Sequence, residues 1–569
     1  MKKNSGLLIT LLLCYTGIQA QSKSLLWEIT GNGLKEPSYI YGTMHVSDRI
    51  AFHLTDSFFI ALNSADVIAL ESNPETWIEN DFGNPDKSDN NTYSESAYNY
   101  NSQYYGGDIY NRVGAIDIPD DRAYGNMFQD NSWLINGYLY RYEAERTEYE
   151  EETYLDLFIF QCGKKLSKEI AALEGEQEVL KLLEKAYAES DDEDEEKKYI
   201  EKRKMMDAFD EEDVSIREQI DQAYREGDLD KLDSLELITT PTANFHKYFI
   251  EERNANMMRR MDSILKTGKV MFTGIGAAHL PGERGAIQIL RDMGYTVRPV
   301  KGKITGKSMK EKNKIDDIYF SHPTNLQYAG DSLFTVSTPG KLYDLGGDAT
   351  YSYVLYPDMA NSAYYNVIRM SHYGMLQHQT QDEILADIDN LLFENVPGDI
   401  VSKTAIKSNT GYPGLDIVSK TKRGNYLRIK LYVTPFETII FKSSGLGEFV
   451  IKSKEMQRFF SSINFKPVTK NTWETYAPKW GLFSVSVPAN HISYEVLENE
   501  SVFNQQDIAT LQAKENDNYY YANTYYYNNV SSFEEDSFEL KRIADMFIEQ
   551  FKKDKYEVTS DAYQMINNR

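Results

Sequence analysis

The chain has 569 residues, a formal net charge of −26 and two cysteines. A chain of this length exceeds one hydrophobic core, which predicts several domains. The excess of negative charge excludes nucleic acid and anionic membranes as favoured partners, because both repel an acidic protein. It favours cations, basic partners or simple solubility.

The N-terminus has the pattern of a secretory signal peptide over residues 1–20. Lys2 and Lys3 precede an apolar stretch at 7–18, and Ala20 supplies a small residue for cleavage. The stretch is too short to anchor the chain across a membrane, and no second long apolar run follows. We therefore expect an exported protein, periplasmic or extracellular, with no transmembrane segment.

The first half of the chain alternates strand and helix patterns. A polar stretch at 81–114, rich in Asn, Ser, Tyr and Gly, interrupts them and predicts a loop insertion. The remaining elements predict an α/β (α+β) domain over 21–300. Its predicted strands lie at 27–30, 37–41, 269–274 and 295–300, with a further strand ending at Glu71.

The second half of the chain predicts repeated small α+β domains. A lysine-rich linker is expected at 301–325. Beyond it, LFTVSTP at 333–339 matches LFSVSVP at 482–488. This internal repeat predicts a first accessory domain at 326–468 and a second copy, apparently incomplete, at 478–569. The tyrosine-rich strands of this half predict either ordinary edge strands or a contact surface for protein or carbohydrate.

Two Gly-x-x-His tetrads each close a short apolar run. Gly42 to His45 ends PSYIYGTMHV, and Gly276 to His279 ends KVMFTGIGAAHL. Glycine permits a sharp turn, which then presents the imidazole beyond the carboxyl end of a strand, where open α/β sheets place their sites. With Glu71 after a third strand, the set suits a divalent transition metal with open positions. Each histidine taken alone is more typical of an ordinary surface or core position.

These segments, taken in order, resemble the TraB/GumN family, whose animal relatives include the Tiki metalloproteases. The resemblance covers about residues 24–300. The matching segments are LLWEITGNG, YIYGTMHV, DVIALESNP, TYLDLFIFQCGKKLSKEIAALEGEQEVL, AYREGDLDKL, EERNANM and VMFTGIGAAHLPGERGAIQILRDMGYTV. The chain departs from the family pattern at Ala172, where glycine is usual, and in the length of the insertion at 81–114.

The resemblance implies a metal-dependent hydrolase site in an α/β domain with two related halves around a mixed sheet. Carried over position by position, it implies His45, Glu71 and His279 as catalytic residues and as ligands of Mn²⁺, Co²⁺ or Zn²⁺. It also implies that Arg253 and Asn254 enter the site from a helix. From the residues alone, that Arg-Asn pair serves equally well to cap or bridge helices.

Three residues have supporting roles in this expectation. Gly42 and Gly276 begin the two turns. Glu174 is a weaker site residue, because an acid at a helix start is more often paired with the helix dipole. Cys162, the one cysteine after the signal peptide, is more typical of a small buried apolar residue than of a nucleophile.

The sequence therefore predicts an exported metal-dependent hydrolase, with a peptidase favoured and a peptide or protein as substrate. Glu71 would ligate the metal or accept a proton from the activated water, and Arg253 could stabilise an oxyanion. The alternative is a non-catalytic peptide- or signal-binding protein on the same fold.

Overall fold

The computed structural model describes most of the chain but leaves several stretches undescribed. The predictions for residues 1–20, for His45 and for nearly all of 81–114 lie outside the described residues. The described ranges are 23–44, 51–82, 119–130, 153–188, 193–207, 214–347, 351–374, 378–467, 472–478, 483–497, 506–516, 518–527 and short pieces of 541–559.

The chain divides into two compact units, each made of two stretches of sequence. The first unit comprises Met1–Pro74 and Leu139–Phe320. The second comprises Glu75–Tyr138 and Ser321–Arg569. The chain thus passes from one unit to the other at three points.

The first stretch of the chain, through residue 316, contains six strands and twelve α-helices among its described residues. The strands are β1 (Leu26–Gly31), β2 (Ser38–Thr43), β3 (Val67–Leu70), β4 (Glu169–Ala172), β5 (Met271–Gly276) and β6 (Tyr295–Pro299). The helices are α1 (Asp56–Ser64), α2 (Pro74–Phe82), α3 (Asp121–Phe128), α4 (Leu155–Lys165), α5 (Glu176–Tyr187), α6 (Glu193–Asp207), α7 (Ile216–Glu226), α8 (Leu229–Thr239), α9 (Ala243–Phe245), α10 (Glu252–Leu265), α11 (Ala286–Asp292) and α12 (Gly306–Asp316).

One mixed six-stranded sheet organises the first unit, in the order β4-β3-β5-β2-β1-β6. The pairs β3–β4, β3–β5 and β2–β5 are parallel, whereas β1 is antiparallel to both β2 and β6. The prediction of an α/β domain with a mixed sheet is therefore confirmed. Strand β3 is buried along its whole length, as expected for a strand covered on both faces.

The register of the parallel strands brings the carboxyl ends of three strands to one edge of this sheet. Thr43 pairs with Gly276, and Leu70 pairs with Gly274. The chain beyond β2, β3 and β5 therefore leaves the sheet at the same edge. In open α/β sheets this carboxyl edge is where ligand sites form.

A helix occupies much of the segment that we predicted to be a linker. Thr305 caps α12, and the Asp56 carboxylate accepts hydrogen bonds from the Thr305 hydroxyl at 2.7 Å and from the Ser308 N–H at 3.1 Å. The hydrogen bond from Thr305 lowers the pKa of Asp56. The lysine-rich segment is therefore tied to α1 by specific contacts; its role as a domain boundary stays a prediction.

The second unit is built mainly from antiparallel strands. After α12 the strands are β7 (Asn325–Tyr328), β8 (Phe334–Thr338), β9 (Tyr343–Gly347), β10 (Tyr351–Asp358), β11 (Ala363–Ser371), β12 (Asp399–Lys407), β13 (Pro413–Lys420), β14 (Tyr426–Val433), β15 (Glu437–Gly445), β16 (Asn464–Phe465), β17 (Trp473–Tyr476), β18 (Val485–Pro488), β19 (His491–Leu497), β20 (Gln506–Glu515) and β21 (Asn518–Tyr527). Among the described residues, the helices of this part are α13 (Gln381–Asn395), α14 (Phe449–Lys452) and α15 (Lys454–Ser461).

Seven of these strands form one sheet in the order β12-β13-β14-β15-β11-β10-β9, and smaller sheets follow along the chain. The α+β character predicted for the second half is thereby confirmed. The prediction that this half contains two copies of one domain stays a prediction, as do its boundaries at 326–468 and 478–569.

Helix α3, which lies between Glu75 and Tyr138 in sequence, completes the core of the second unit. Tyr124, Met127 and Phe128 are buried in one cluster with residues of α13 and the seven-stranded sheet. Gly125 permits this close packing, since a Cβ there would lie 2.4 Å from Asn395 Oδ1.

Lys442 fastens the C-terminal end of α3 to β15. Its ammonium group is fully buried and donates to the carbonyls of Met127 at 2.8 Å and Gln129 at 2.7 Å. Burial lowers the pKa of Lys442 to about 7. A neutral amine retains two N–H donors, which is the number that these two carbonyls need.

This buried lysine predicts a stability that depends on pH. Between about pH 7 and the unfolded value of about 10.4, the unfolded chain holds a proton that the folded chain has lost, so stability rises with pH at up to about 1.4 kcal/mol per unit. We expect this slope in urea unfolding of the full chain and its loss in Lys442→Met. An equal slope in the variant would contradict the assignment to Lys442.

Candidate active site

Glu71 stands at the centre of the carboxyl edge of the first unit's sheet. It follows β3 directly, and its carboxylate is held at both oxygens. Oε1 accepts a 2.7 Å hydrogen bond from the backbone N–H of Gly276, and Oε2 accepts one of 2.7 Å from Nη2 of Arg253. Because the N–H of a strand end and a guanidinium both fix it, the carboxylate has one defined orientation.

Arg253 joins two carboxylates in a nearly buried ion cluster. Its Nε lies 2.9 and 3.1 Å from the two carboxylate oxygens of Glu174, and Nη2 lies 2.6 Å from Glu174 Oε2 and 2.7 Å from Glu71 Oε2. The exposed fractions of the side chains are 8% for Arg253, 4% for Glu174 and 14% for Glu71. Two ionised carboxylates and one guanidinium leave one net negative charge, which favours a cation at this edge.

Burial and neighbouring charges shift the pKa values of Glu174 and Arg253 in opposite directions. Burial raises the pKa of Glu174, and the hydrogen bonds and charge of Arg253 only partly offset it. Burial alone would lower the pKa of Arg253, but its bonds to Glu174 and the charge of Glu71 outweigh that effect and raise it. Arg253 therefore remains a cation under all ordinary conditions.

Asn254 fixes the orientation and tautomer of His279. Its Nδ2 donates to the carbonyl of Arg284 at 3.0 Å, which directs Oδ1 toward His279 Nδ1 at 2.7 Å. An amide oxygen can only accept, so Nδ1 of His279 carries the hydrogen. In the neutral ring the lone pair then belongs to Nε2, which lies 3.9 Å from Glu71 Oε1.

The helix that supplies Arg253 and Asn254 contains a π-helical segment. Helix α9 continues through the π-helix His246–Glu251 into α10 without a break in the chain. A π segment inserts extra residues into a helical turn and so shifts the face on which the following side chains lie. Both Arg253 and Asn254 are buried on the inner face of α10.

Glycine at position 42 allows the segment after β5, residues 277–280, to approach β2. A Cβ on Gly42 would lie 2.8 Å from Leu280 Cδ1 and 3.1 Å from Ala277 Cβ. The Gly42 carbonyl also accepts a buried 3.0 Å hydrogen bond from the Tyr224 hydroxyl. Gly42 therefore serves to let the two segments approach closely, and Gly276 serves as the backbone donor to Glu71. Neither glycine has a positive φ.

The sequence reasoning did not identify Asp156. This carboxylate is buried and accepts a 2.6 Å hydrogen bond from the Thr43 hydroxyl, at the end of β2. The sequence does contain an indication of its role. An acid inside the apolar run LDLFIF of α4 must have a polar partner, because burial of an unpaired charge is costly.

The structure brings together five of the residues that the sequence indicated: Glu71, Glu174, Arg253, Asn254 and His279. His45 lies outside the described residues. Within the part of the chain that the structure describes, no group of three or more His, Cys, Asp or Glu side chains could hold a metal ion. Cys162 is fully buried, and burial raises the pKa of its thiol, as expected for a structural rather than a reactive cysteine.

The fold and this edge define a class of protein: an α/β domain in which acidic, basic and imidazole groups meet where parallel strands end. Residues 25–299 match the sequence model of the TraB/PrgY/gumN family. This region of the chain belongs to that family, and the resemblance drawn from the sequence is confirmed. No curated protein is significantly similar to the chain. No helix among the described residues is long and apolar enough to cross a membrane.

Proposed function

We propose that the protein is an exported metal-dependent hydrolase that cleaves peptides. The observation that carries the proposal is the pair formed by Glu71 and His279. Asn254 directs the lone pair of His279 to Nε2, and that nitrogen lies 3.9 Å from Glu71 Oε1. An oriented imidazole beside an oriented carboxylate supplies two of the three protein ligands typical of a hydrolytic metal site. Export is proposed from the pattern of residues 1–20 alone.

The donor chemistry fits a divalent metal. His279 supplies a nitrogen whose tautomer is fixed by an outer hydrogen bond, and Glu71 supplies an oxygen in a cluster of net negative charge. His45, which follows the described residue Met44, would supply the third ligand. Mn²⁺, Co²⁺ or Zn²⁺ bound there would supply Lewis-acid activation of a water molecule.

The protein residues have separate tasks in this proposal. Glu71 holds a ligand position or accepts a proton at Oε1, the oxygen that faces His279. Arg253 commits Nε and Nη2 to carboxylates, so it acts by orienting Glu71 rather than by binding an oxyanion. The Gly276 N–H donates to Oε1 as well, so the oxygen that faces His279 also has a fixed position.

A non-catalytic peptide binder on the same fold is the second candidate. It is favoured by the fact that both oxygens of Glu71 accept hydrogen bonds, as in a purely structural ion cluster. The two functions differ in whether the edge binds metal and whether a bound peptide is cleaved.

Metal analysis of the full chain tests the proposal. After saturation with Mn²⁺, Co²⁺ or Zn²⁺ and gel filtration, the wild-type protein should retain one equivalent, and His279→Ala and His45→Ala should lose it. His53→Ala is the matched control, because His53 is an exposed histidine of the same unit. Cleavage of a peptide library should then stop on adding a chelator. Equal metal content in all four proteins would contradict the metal site, and binding of metal without any cleavage would favour the second candidate.

Asn254→Ala should weaken metal binding while the fold survives. Removal of an outer hydrogen bond to a metal-bound imidazole typically costs 10- to 100-fold in affinity, because ring orientation and tautomer are then less restricted. Isothermal titration with Mn²⁺ or Zn²⁺ measures the loss, and Asn256→Ala, two residues further along α10 and less buried, serves as the control. Unchanged affinity in Asn254→Ala would show that His279 is not a ligand.

A further inference from the structure

Three aromatic side chains form a row on the surface of the first unit, here called the aromatic row: Tyr187, Phe245 and Phe249. The ring centroids of Tyr187 and Phe245 are 5.5 Å apart, and those of Phe245 and Phe249 are 4.8 Å apart. Tyr187 is the last residue of α5, Phe245 is the last residue of α9, and Phe249 lies within the π-helix.

The aromatic row is partly open to solvent: Tyr187 is exposed, whereas Phe245 and Phe249 are half-buried. Tyr187 retains 73% of its accessible surface, and no residue of the π-helix His246–Glu251 is buried. By contrast, Phe58, Phe160 and Phe272 in the same unit are almost wholly excluded from solvent. Adjoining aromatic rings that keep part of their surface in water often mark a binding surface.

The inner end of the aromatic row touches the candidate active site. The guanidinium carbon of Arg253 lies 4.8 Å from the centroid of the Phe249 ring, and Arg253 Nη1 lies 3.5 Å from the Phe249 carbonyl oxygen. Arg253 in turn binds Glu71. A peptide held at Glu71 therefore has the Phe249 ring as a near neighbour.

The dimensions of the aromatic row match a short stretch of peptide. An extended chain advances about 3.3–3.6 Å per residue. The two ring spacings of 4.8 and 5.5 Å together correspond to roughly three extended residues. Flat aromatic faces bind large apolar side chains with little loss of side-chain entropy, because the rings are already packed against one another.

We propose that the aromatic row binds large apolar side chains of an extended peptide substrate, within about three residues of the bond that is cleaved. The proposal rests on the hydrolase function proposed above and adds to it a substrate class, namely peptides with Phe-, Leu- or Met-like side chains beside the cleavage site. Phe249 and Phe245 form the inner part of the surface, and Tyr187 forms its outer end.

Two pools of synthetic dodecapeptides, identical except for their central positions, test the proposal on the full chain. One pool has Phe or Leu at the centre, and the other has Ser or Asn. We expect the apolar pool to have the lower KM. Tyr187→Ala and Phe245→Ala should each raise that KM about three- to tenfold with little change in kcat, since they remove ring contacts but no catalytic group. Ile60→Ala is the control, because Ile60 is a large apolar side chain of the same unit that is 67% exposed.

Binding measured by fluorescence polarisation, with labelled pools and the Glu71→Gln variant, separates this proposal from the hydrolase function. Selective binding of the apolar pool that Tyr187→Ala weakens supports the aromatic row even where no peptide is cleaved. Cleavage of both pools with equal KM, unchanged in Tyr187→Ala, overturns the aromatic row and leaves the hydrolase intact. Absence of both cleavage and selective binding overturns the two proposals together.

Discussion

Arg253→Met should abolish most hydrolysis and also destabilise the protein. The substitution removes the guanidinium that links Glu71 and Glu174, which leaves a buried and a half-buried carboxylate without this shared ion-pair partner. Removal of one partner of a buried ion pair typically lowers the free energy of unfolding by about 3–5 kcal/mol. Loss of a preorganised charge at a hydrolytic site lowers kcat by about 10²–10³-fold.

The loss of stability in Arg253→Met should depend on pH in a defined direction. Burial raises the pKa of Glu174, so the folded chain binds that proton more tightly than the unfolded chain. Stability is then highest below the unfolded value of about 4.3 and falls as pH rises through the raised folded value. Without Arg253 to offset burial, this fall should become steeper, and the variant should approach wild-type stability in acid.

Two further variants make this test specific. Arg253→Met combined with Glu174→Gln should recover part of the stability, because one of the two carboxylates that lost the guanidinium is gone. Arg259→Met is the matched control, since Arg259 is an exposed arginine of the same helix. Urea unfolding from pH 4 to 8 and hydrolysis of the peptide library measure the two effects. A variant as stable and active as Arg259→Met would disprove the role of the ion cluster.

Phe128→Ala should destabilise the second unit, although residue 128 lies in the sequence between two parts of the first. Phe128 is fully buried in the cluster that joins α3, α13 and the seven-stranded sheet. Truncation of a buried phenylalanine typically costs about 3–5 kcal/mol, through lost burial and the cavity left behind.

Phe393→Ala provides a matched control for this prediction. Phe393 lies on the adjoining helix α13, but its side chain is 90% exposed. Its truncation should change stability by less than about 0.5 kcal/mol. Thermal unfolding of the full chain and limited proteolysis of α13 and β11 report on the second unit directly. Equal effects of the two substitutions would mean that α3 does not belong to this core.

The sequence predicted those features that depend on local pattern. The apolar run VIAL predicted β3 and placed Glu71 at its end, and the Gly276–His279 tetrad predicted the turn after β5. These elements could be identified because burial on both faces leaves a continuous apolar stretch.

The side-chain contacts of the site could not be read from the sequence. Arg253 meets Glu174 and Glu71 across 79 and 182 residues of chain, and no local pattern encodes such a pairing. An acid at a helix start, such as Glu174, is favourable beside the helix dipole even when it lies free on the surface. Its position in the sequence therefore does not indicate that it is buried. Its burial depends on how α10 packs against the strand ends, which is a property of the tertiary structure alone.

Helix α3 was missed for a related reason. The sequence DRAYGNMF contains a glycine and few strong helix formers, so its propensity is weak. Its stability comes from Tyr124, Met127 and Phe128 packing on strands that follow much later in the chain. A stretch stabilised by distant partners carries little helical signal of its own.

The position of α3 in the chain has a consequence for biosynthesis. Lys442, which binds the end of this helix, is separated from Met127 by 315 residues. A ribosome that adds about 5–20 residues per second needs on the order of 15–60 s to cover that distance. Throughout this interval the apolar face of α3 lacks the strands that cover it, whereas all six strands of the first sheet emerge earlier. The first unit can therefore fold while the segment 75–138, which belongs to the second unit, is still without its partners. A chaperone that shields α3 during this interval would raise the yield of the complete protein.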